Sequence, residues 1–113
     1  MHEMSIAMGI VEAIRAELAS DSSRRLLRVG VAIGELAGVD RQSLAFCLDA
    51  TFAEEHWDGV EAVFSARGVD VRCRTCARQF QPPRDDFRCP DCQTADVEVL
   101  SGDAVEIEWL EVE

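Results

Sequence analysis

A chain of 113 residues holds one modest core, or a small core plus a module stapled by a metal. With 48% hydrophobic residues it is neither disordered nor membrane-spanning, since no run approaches the ~20 apolar residues a transmembrane helix needs. Its formal charge of -11, from 22 acidic residues against 11 basic ones that are all arginine, opposes binding to DNA, RNA or an anionic membrane surface. No charged-then-apolar leader precedes the first helical pattern, so the expected compartment is the cytoplasm.

Residues 3–19 predict an amphipathic helix. Met4, Ala7, Val11, Ile14 and Leu18 recur at three- and four-residue steps, and Ile6 and Ile10 widen that face enough to pack on a sheet. Glu12, Arg15 and Glu17 fall on the wet side, and the turn-forming Ser20-Asp21-Ser22-Ser23 ends the helix. Leu27 to Leu36 predicts a strand in which Leu27, Val29, Val31 and Ile33 alternate with Arg28, Gly30, Ala32 and Gly34. The small second set leaves room for something to lie close over that face as well. Gly38-Val39-Asp40 closes the strand, and Asp40 is placed to N-cap a second helix from Arg41. Its apolar stripe is Leu44, Leu48 and Phe52, with Cys47 and Thr51 beside it.

Val60, Ala62 and Phe64 predict a further strand, Gly68 a turn, and Val69 and Val71 alternate into Cys73. Later, Val97 and Val99 alternate, Ser101-Gly102-Asp103 turns, and Val105, Ile107 and Trp109 alternate with Glu106, Glu108 and Leu110. That closing strand needs a sheet, and the sheet of the first half is the economical choice. The expected fold is α+β: two helices on a small mixed β-sheet, with an inserted four-cysteine module of zinc-ribbon type. The expected division is a discontinuous domain, residues 1–68 plus 103–113, and a module over 69–102.

Within that module, Cys73-Arg74-Thr75-Cys76 and Cys89-Pro90-Asp91-Cys92 form two Cys-x-x-Cys hooks separated by twelve residues. Each hook puts two sulfurs on one tight turn, and two hooks complete a tetrahedron around a soft divalent ion, the spacing of a four-thiolate zinc site. Pro90 suits the rigid turn, its fixed φ needing no amide partner. Two disulfides or a redox pair fit less well, because no secretory signal opens the chain and no βαβ unit surrounds either hook.

The opening Met1-His2-Glu3 offers different chemistry. A histidine in second position sets its imidazole beside the α-amine of Met1, with an ionisable amide between them. Those nitrogens chelate a divalent ion in fused rings, and Glu3 or Asp40 can supply oxygen to complete a plane. Square-planar nitrogen and oxygen donors suit nickel(II) or copper(II), whereas zinc prefers a tetrahedron. Such binding displaces protons, so affinity falls as pH drops. The bulk of His2 predicts that the initiator methionine is retained. On residue types alone, an exposed terminal histidine without a role stays an open alternative.

The opening Met1-His2-Glu3-Met4-Ser5-Ile6, the strand ending Ile33-Gly34-Glu35-Leu36-Ala37-Gly38-Val39, the two hooks and the closing Ser101-Gly102-Asp103 occur in this order in HypA/HybF proteins, and the chain resembles that family over its whole length. The resemblance implies a hydrogenase-maturation nickel metallochaperone. Nickel(II), as cargo, would fall on Met1, His2 and Glu3, and structural zinc on Cys73, Cys76, Cys89 and Cys92. It also implies a GTPase partner and delivery to the large subunit of [NiFe] hydrogenase. The chain departs from many members in having Ala77 and Gln93, rather than glycine, directly after each hook, at positions where glycine relieves a positive φ. The segment from Ala53 to Gly59 is also shorter than in many of them.

Other candidates are weaker. His56 follows the second helix, where a histidine complements the helix dipole, and Cys47 sits on an apolar stripe as a small core residue. Arginines 72, 74, 78, 84 and 88 give the module a local basic patch suited to solvation or protein docking. An enzyme is not expected: there is no Ser-His-Asp pattern, phosphate-cradling glycine loop or Walker lysine. The rival reading is a zinc-ribbon adaptor for nucleic acid or a transcription assembly, which the net charge and sparse aromatics oppose.

Overall fold

A computed structural model describes residues 2–21 and 23–113. The elements run α1 (Glu3–Leu18), β1 (Leu26–Gly34), α2 (Arg41–Glu54), β2 (Glu61–Arg67), β3 (Asp70–Cys73), β4 (Gln79–Phe80), β5 (Val97–Ser101) and β6 (Val105–Val112). They build two three-stranded sheets, in the orders β2-β1-β6 and β4-β3-β5, so the fold is α+β and the closing strand joins the first-half sheet as its pattern requires. No helix among the described residues is long and apolar enough to cross a membrane.

The first sheet is mixed. Arg25 and Glu113 exchange both backbone hydrogen bonds at one end, and the Gly34 amide donates to the Ala104 carbonyl at the other, which makes β1 and β6 antiparallel. The Glu35 amide donates to the Arg67 carbonyl, bringing the carboxyl ends of β1 and β2 together as a parallel pair needs. Helix α2 is the crossover between them. Val29 and Val31 of β1 are fully buried, and Ala32 nearly so. The small residues of β1 have their reason in β6: a Cβ on Gly30 would collide with the Trp109 indole, which lies against it.

Helices α1 and α2 pack on each other, and α1 also touches β6. Their contact buries Ile14, Leu44 and Leu48 completely, each side chain contributing about 1.5–3 kcal/mol. Of the predicted stripe on α1, Ala7, Val11 and Ile14 are buried with Ile10 beside them, whereas Leu18 is half-buried, Met4 is 45% exposed, and the Glu3 carboxylate takes the inner position of the first turn. In the turn after α1, Ser22 lies outside the described residues, while Ser23 donates through both its amide and its hydroxyl to the Asp21 carboxylate. Asp40 caps α2 as expected, its carboxylate accepting from the Gln42 amide at 3.1 Å and the Ser43 hydroxyl at 3.0 Å.

His56 has a backbone task. Its φ is +61°, its amide reaches the Ala53 carbonyl, and the Trp57 amide reaches Phe52, which is the double bond of a Schellman termination. The accompanying apolar contact is Phe52 against Trp57, with ring centroids 5.6 Å apart. In β6 the expected alternation breaks. Glu108 and Trp109 are both exposed, and partial burial resumes at Leu110 and Val112.

The chain divides into two compact units. One gathers the described residues up to Ala32, Val39–Ser65 and Val105–Glu113; the other gathers Ile33–Gly38 and Ala66–Ala104. The segment after β1 belongs to the second unit because its amides bond there, Leu36 to the Gly102 carbonyl and Gly34 to Ala104.

Candidate metal centres

In the second unit, β3 pairs antiparallel with both β4 and β5, setting Val71 opposite Phe80 and Cys73 opposite Val97. Strand β4 is only two residues long and carried no sequence signal. Asp70 braces the arrangement, accepting from Gln81 Nε2 at 2.8 Å and from the Ser101 hydroxyl at 2.7 Å. Those two bonds hold its carboxyl below the usual carboxylate range.

The four cysteines converge, with their Sγ atoms all within 4.8 Å of one another. Cys73 Sγ lies 3.4 Å from Cys92 Sγ, and Cys76 Sγ lies 3.6 Å from Cys89 Sγ. A zinc–sulfur bond of about 2.3 Å spaces tetrahedral sulfurs roughly 3.8 Å apart, so the donor set fits such an ion. Among the described residues this is the one cluster of three or more histidine, cysteine or acidic ligand atoms.

Both hooks are built the same way. The Ala77 amide donates to the Cys73 carbonyl and the Gln93 amide to the Cys89 carbonyl, each at 2.9 Å. The residue after each hook then takes a left-handed conformation, φ +66° at Ala77 and +65° at Gln93. Amides of Cys76 and Thr75, each 3.4 Å from Cys73 Sγ, hold that thiol down to about 6. Against the lowering pull of the Thr94 amide, hydrogen bonding to Cys73 and burial push Cys92 up to about 12. The amide donors to Cys73 Sγ are site features the spacing alone did not show.

A side chain in the left-handed region costs about 1–2 kcal/mol that glycine avoids. We expect Ala77→Gly to stabilise the metal-loaded module by about 1 kcal/mol, read as a higher urea midpoint at unchanged slope. A lowered midpoint would mean that Ala77 sits there without strain.

Of the five arginines expected to make a basic patch, Arg84 is exposed and the other four are ion-paired. Arg72 pairs with Glu98 at 3.7 Å, Arg74 with Asp96 at 3.3 Å, Arg78 with Asp91 at 2.7 Å and Arg88 with Asp86 at 3.0 Å. Glu98 of β5, Asp96 just before it, Asp91 of the second hook and Asp86 pair with four of the five arginines, which weakens the support for the nucleic-acid rival.

At the other candidate site, Met1 lies outside the described residues. His2 is exposed and precedes the first turn of α1 without capping it through its side chain. Glu3 is 6% exposed, and its Oε2 accepts the Asp40 amide at 3.2 Å. The structure thus brings Glu3 and Asp40 together and fastens the start of α1 to the start of α2. One bond leaves a carboxylate further acceptor capacity. The Asp40 carboxylate is engaged in capping α2. His56 and Cys47 stand apart from the cysteine cluster.

Over residues 1–112 the chain matches the family described as hydrogenase/urease nickel incorporation, metallochaperone, HypA. It is 34% identical to hydrogenase maturation factor HypA of Desulfitobacterium hafniense, covering 100% of this chain and 99% of that one. The HypA of Solidesulfovibrio magneticus is 35% identical, with 100% of both chains covered. In fold it is similar to the nickel metallochaperone HypA from Helicobacter pylori, with a TM-score of 0.78 at 24% identity over 98% of this chain and 97% of that one.

Proposed function

This chain belongs to the HypA family of hydrogenase/urease nickel-incorporation metallochaperones, and from that membership we propose that it carries nickel(II) at its amino terminus, apart from a structural zinc held by four cysteines. It is a maturation factor rather than an enzyme. The proposed nickel donors are the Met1 amine, the amide that follows it and the His2 imidazole, with Glu3 or Asp40 supplying oxygen. The proposed zinc ligands are Cys73, Cys76, Cys89 and Cys92, which fold the module when loaded. The delivery proposed is to the large subunit of [NiFe] hydrogenase, with the family's GTPase as partner, and the site of action is the cytoplasm. On this reading the discontinuous unit carries the cargo and the cysteine module is the scaffold.

The observation that carries the reading is the buried Glu3 carboxylate on the Asp40 amide. It holds Glu3 against the start of α2 while leaving His2 in solvent. Four thiolates closed around each other make a cage that retains its ion. An exposed terminal chelate releases its ion to a competing ligand, which is what a carrier requires.

Blocking the amine tests this directly. Acetylation of Met1, or a Gly-Ser extension longer than one residue, should weaken nickel binding at least about 100-fold with zinc unchanged. A single added residue is unsuitable, because a histidine in third position rebuilds a chelate of amine, two amides and imidazole. Undiminished nickel binding by the acetylated chain would reject the terminal site.

A further inference from the structure

The sequence places Met4 and Met8 on α1 one turn apart, and both point to solvent, at 45% and 58% exposure. Farther along, Met8 and Val11 meet Thr51 in a groove of about 270 Å³ between the two helices. The Arg15–Glu55 ion pair closes its end. Glu12 and Glu54 line the same end, so the groove is apolar and sulfur-lined toward the helix starts and acidic toward their ends. Met side chains adapt to varied apolar partners, which makes such a lining suited to recognition.

We propose that this groove is the docking site for a basic amphipathic helix of a partner protein. An apolar anchor on that helix packs on Met8, above the buried Val11, and a lysine or arginine about four residues away reaches Glu12 and Glu54. The spacing follows from the rise of about 1.5 Å per residue, which puts Met8 and Glu12 roughly 6 Å apart along α1. Charge decides against a second copy of this chain as occupant. In-register self-docking would set Glu12, Glu54 and Glu55 against their own copies, and reversed self-docking would press those acids onto methionines. A partner seated here lies within about two turns of His2. The proposal stands on the groove's own chemistry and does not depend on which ion the terminus binds.

The test uses the full chain and synthetic helical peptides of about 18 residues: one with leucine anchors and a lysine flank, one of the same composition scrambled, and one with glutamate replacing lysine. Titration calorimetry should show the first binding at least about tenfold more tightly than the second, and the third not binding. Met8→Glu adds negative charge, so mere electrostatic adsorption predicts equal or tighter binding. Docking in the groove predicts a loss of about tenfold or more. Glu54→Gln should weaken binding about threefold, and Asp49→Asn, on the outer side of α2, should leave it unchanged. Amide shifts on peptide addition to the wild-type chain should centre on Met8, Glu12 and Thr51, a readout that needs no variant. Unweakened binding by Met8→Glu, or shifts spread over the acidic surface, would overturn the proposal. So would wild-type self-association abolished by Met8→Glu, which would make a second copy the occupant.

Discussion

Cys89→Ser should leave the chain with far less than one zinc and an unfolded second unit. Cys89 is fully buried, faces Cys76 at 3.6 Å and carries the carbonyl that closes its own hook. Structural zinc contributes about 10–16 kcal/mol to the folding of small modules, so one thiolate in four represents about 2.5–4 kcal/mol, or roughly 70- to 900-fold in affinity. Strands β3 to β5 have little else to hold them: β4 has two residues, and Val69 and Val71 are the fully buried aliphatics of that unit. Amide exchange should therefore quicken at Val71 and Val97 while Ile14, Val29 and Leu44, in the other unit's core, stay protected. Full zinc content in this variant would remove the cysteine cluster from the account.

The second large effect falls at the other end of the sequence. His2→Ala should lower nickel affinity at least about 100-fold, beyond the roughly 10- to 100-fold typical of losing a partner outside the ligand shell. His2 makes no side-chain cap and is exposed, so its removal leaves α1 and its buried face in place. Unchanged helicity and unchanged zinc should accompany the loss. Unchanged nickel affinity would mean that the imidazole is not a donor.

Much of this architecture was legible in the residues. Asp40 before Arg41, the glycines of β1 and the two hooks each carry a local physical requirement that names a place in the fold. The preference for glycine after each hook likewise marked Ala77 and Gln93, both of which take positive φ. What stayed hidden depends on partners distant in sequence. Periodicity ranked Met4 above Glu3 for the inner face of α1, because no helical pattern anticipates that a carboxylate is buried on the Asp40 amide 37 positions away. The arginines of the module read as a basic patch until β5 set Glu98 beside Arg72. His56 follows the helix as expected, but the missing glycine disguised its left-handed conformation, which the Phe52–Trp57 pair, five residues apart, could have revealed. In β6, strict alternation grouped Trp109 with Val105 and Ile107, whereas the indole is 40% exposed and lies against Gly30.

On the proposed division, cargo and scaffold metals occupy different donor sets. Nickel-edge X-ray absorption on the chain loaded with zinc and then with one equivalent of nickel distinguishes those sets by element. The account predicts a square-planar nickel shell of nitrogen and oxygen with no sulfur scatterer, and a zinc edge showing four sulfurs near 2.3 Å. A nickel–sulfur shell would place the cargo on Cys73, Cys76, Cys89 and Cys92 and contradict the division between the two ends of the chain.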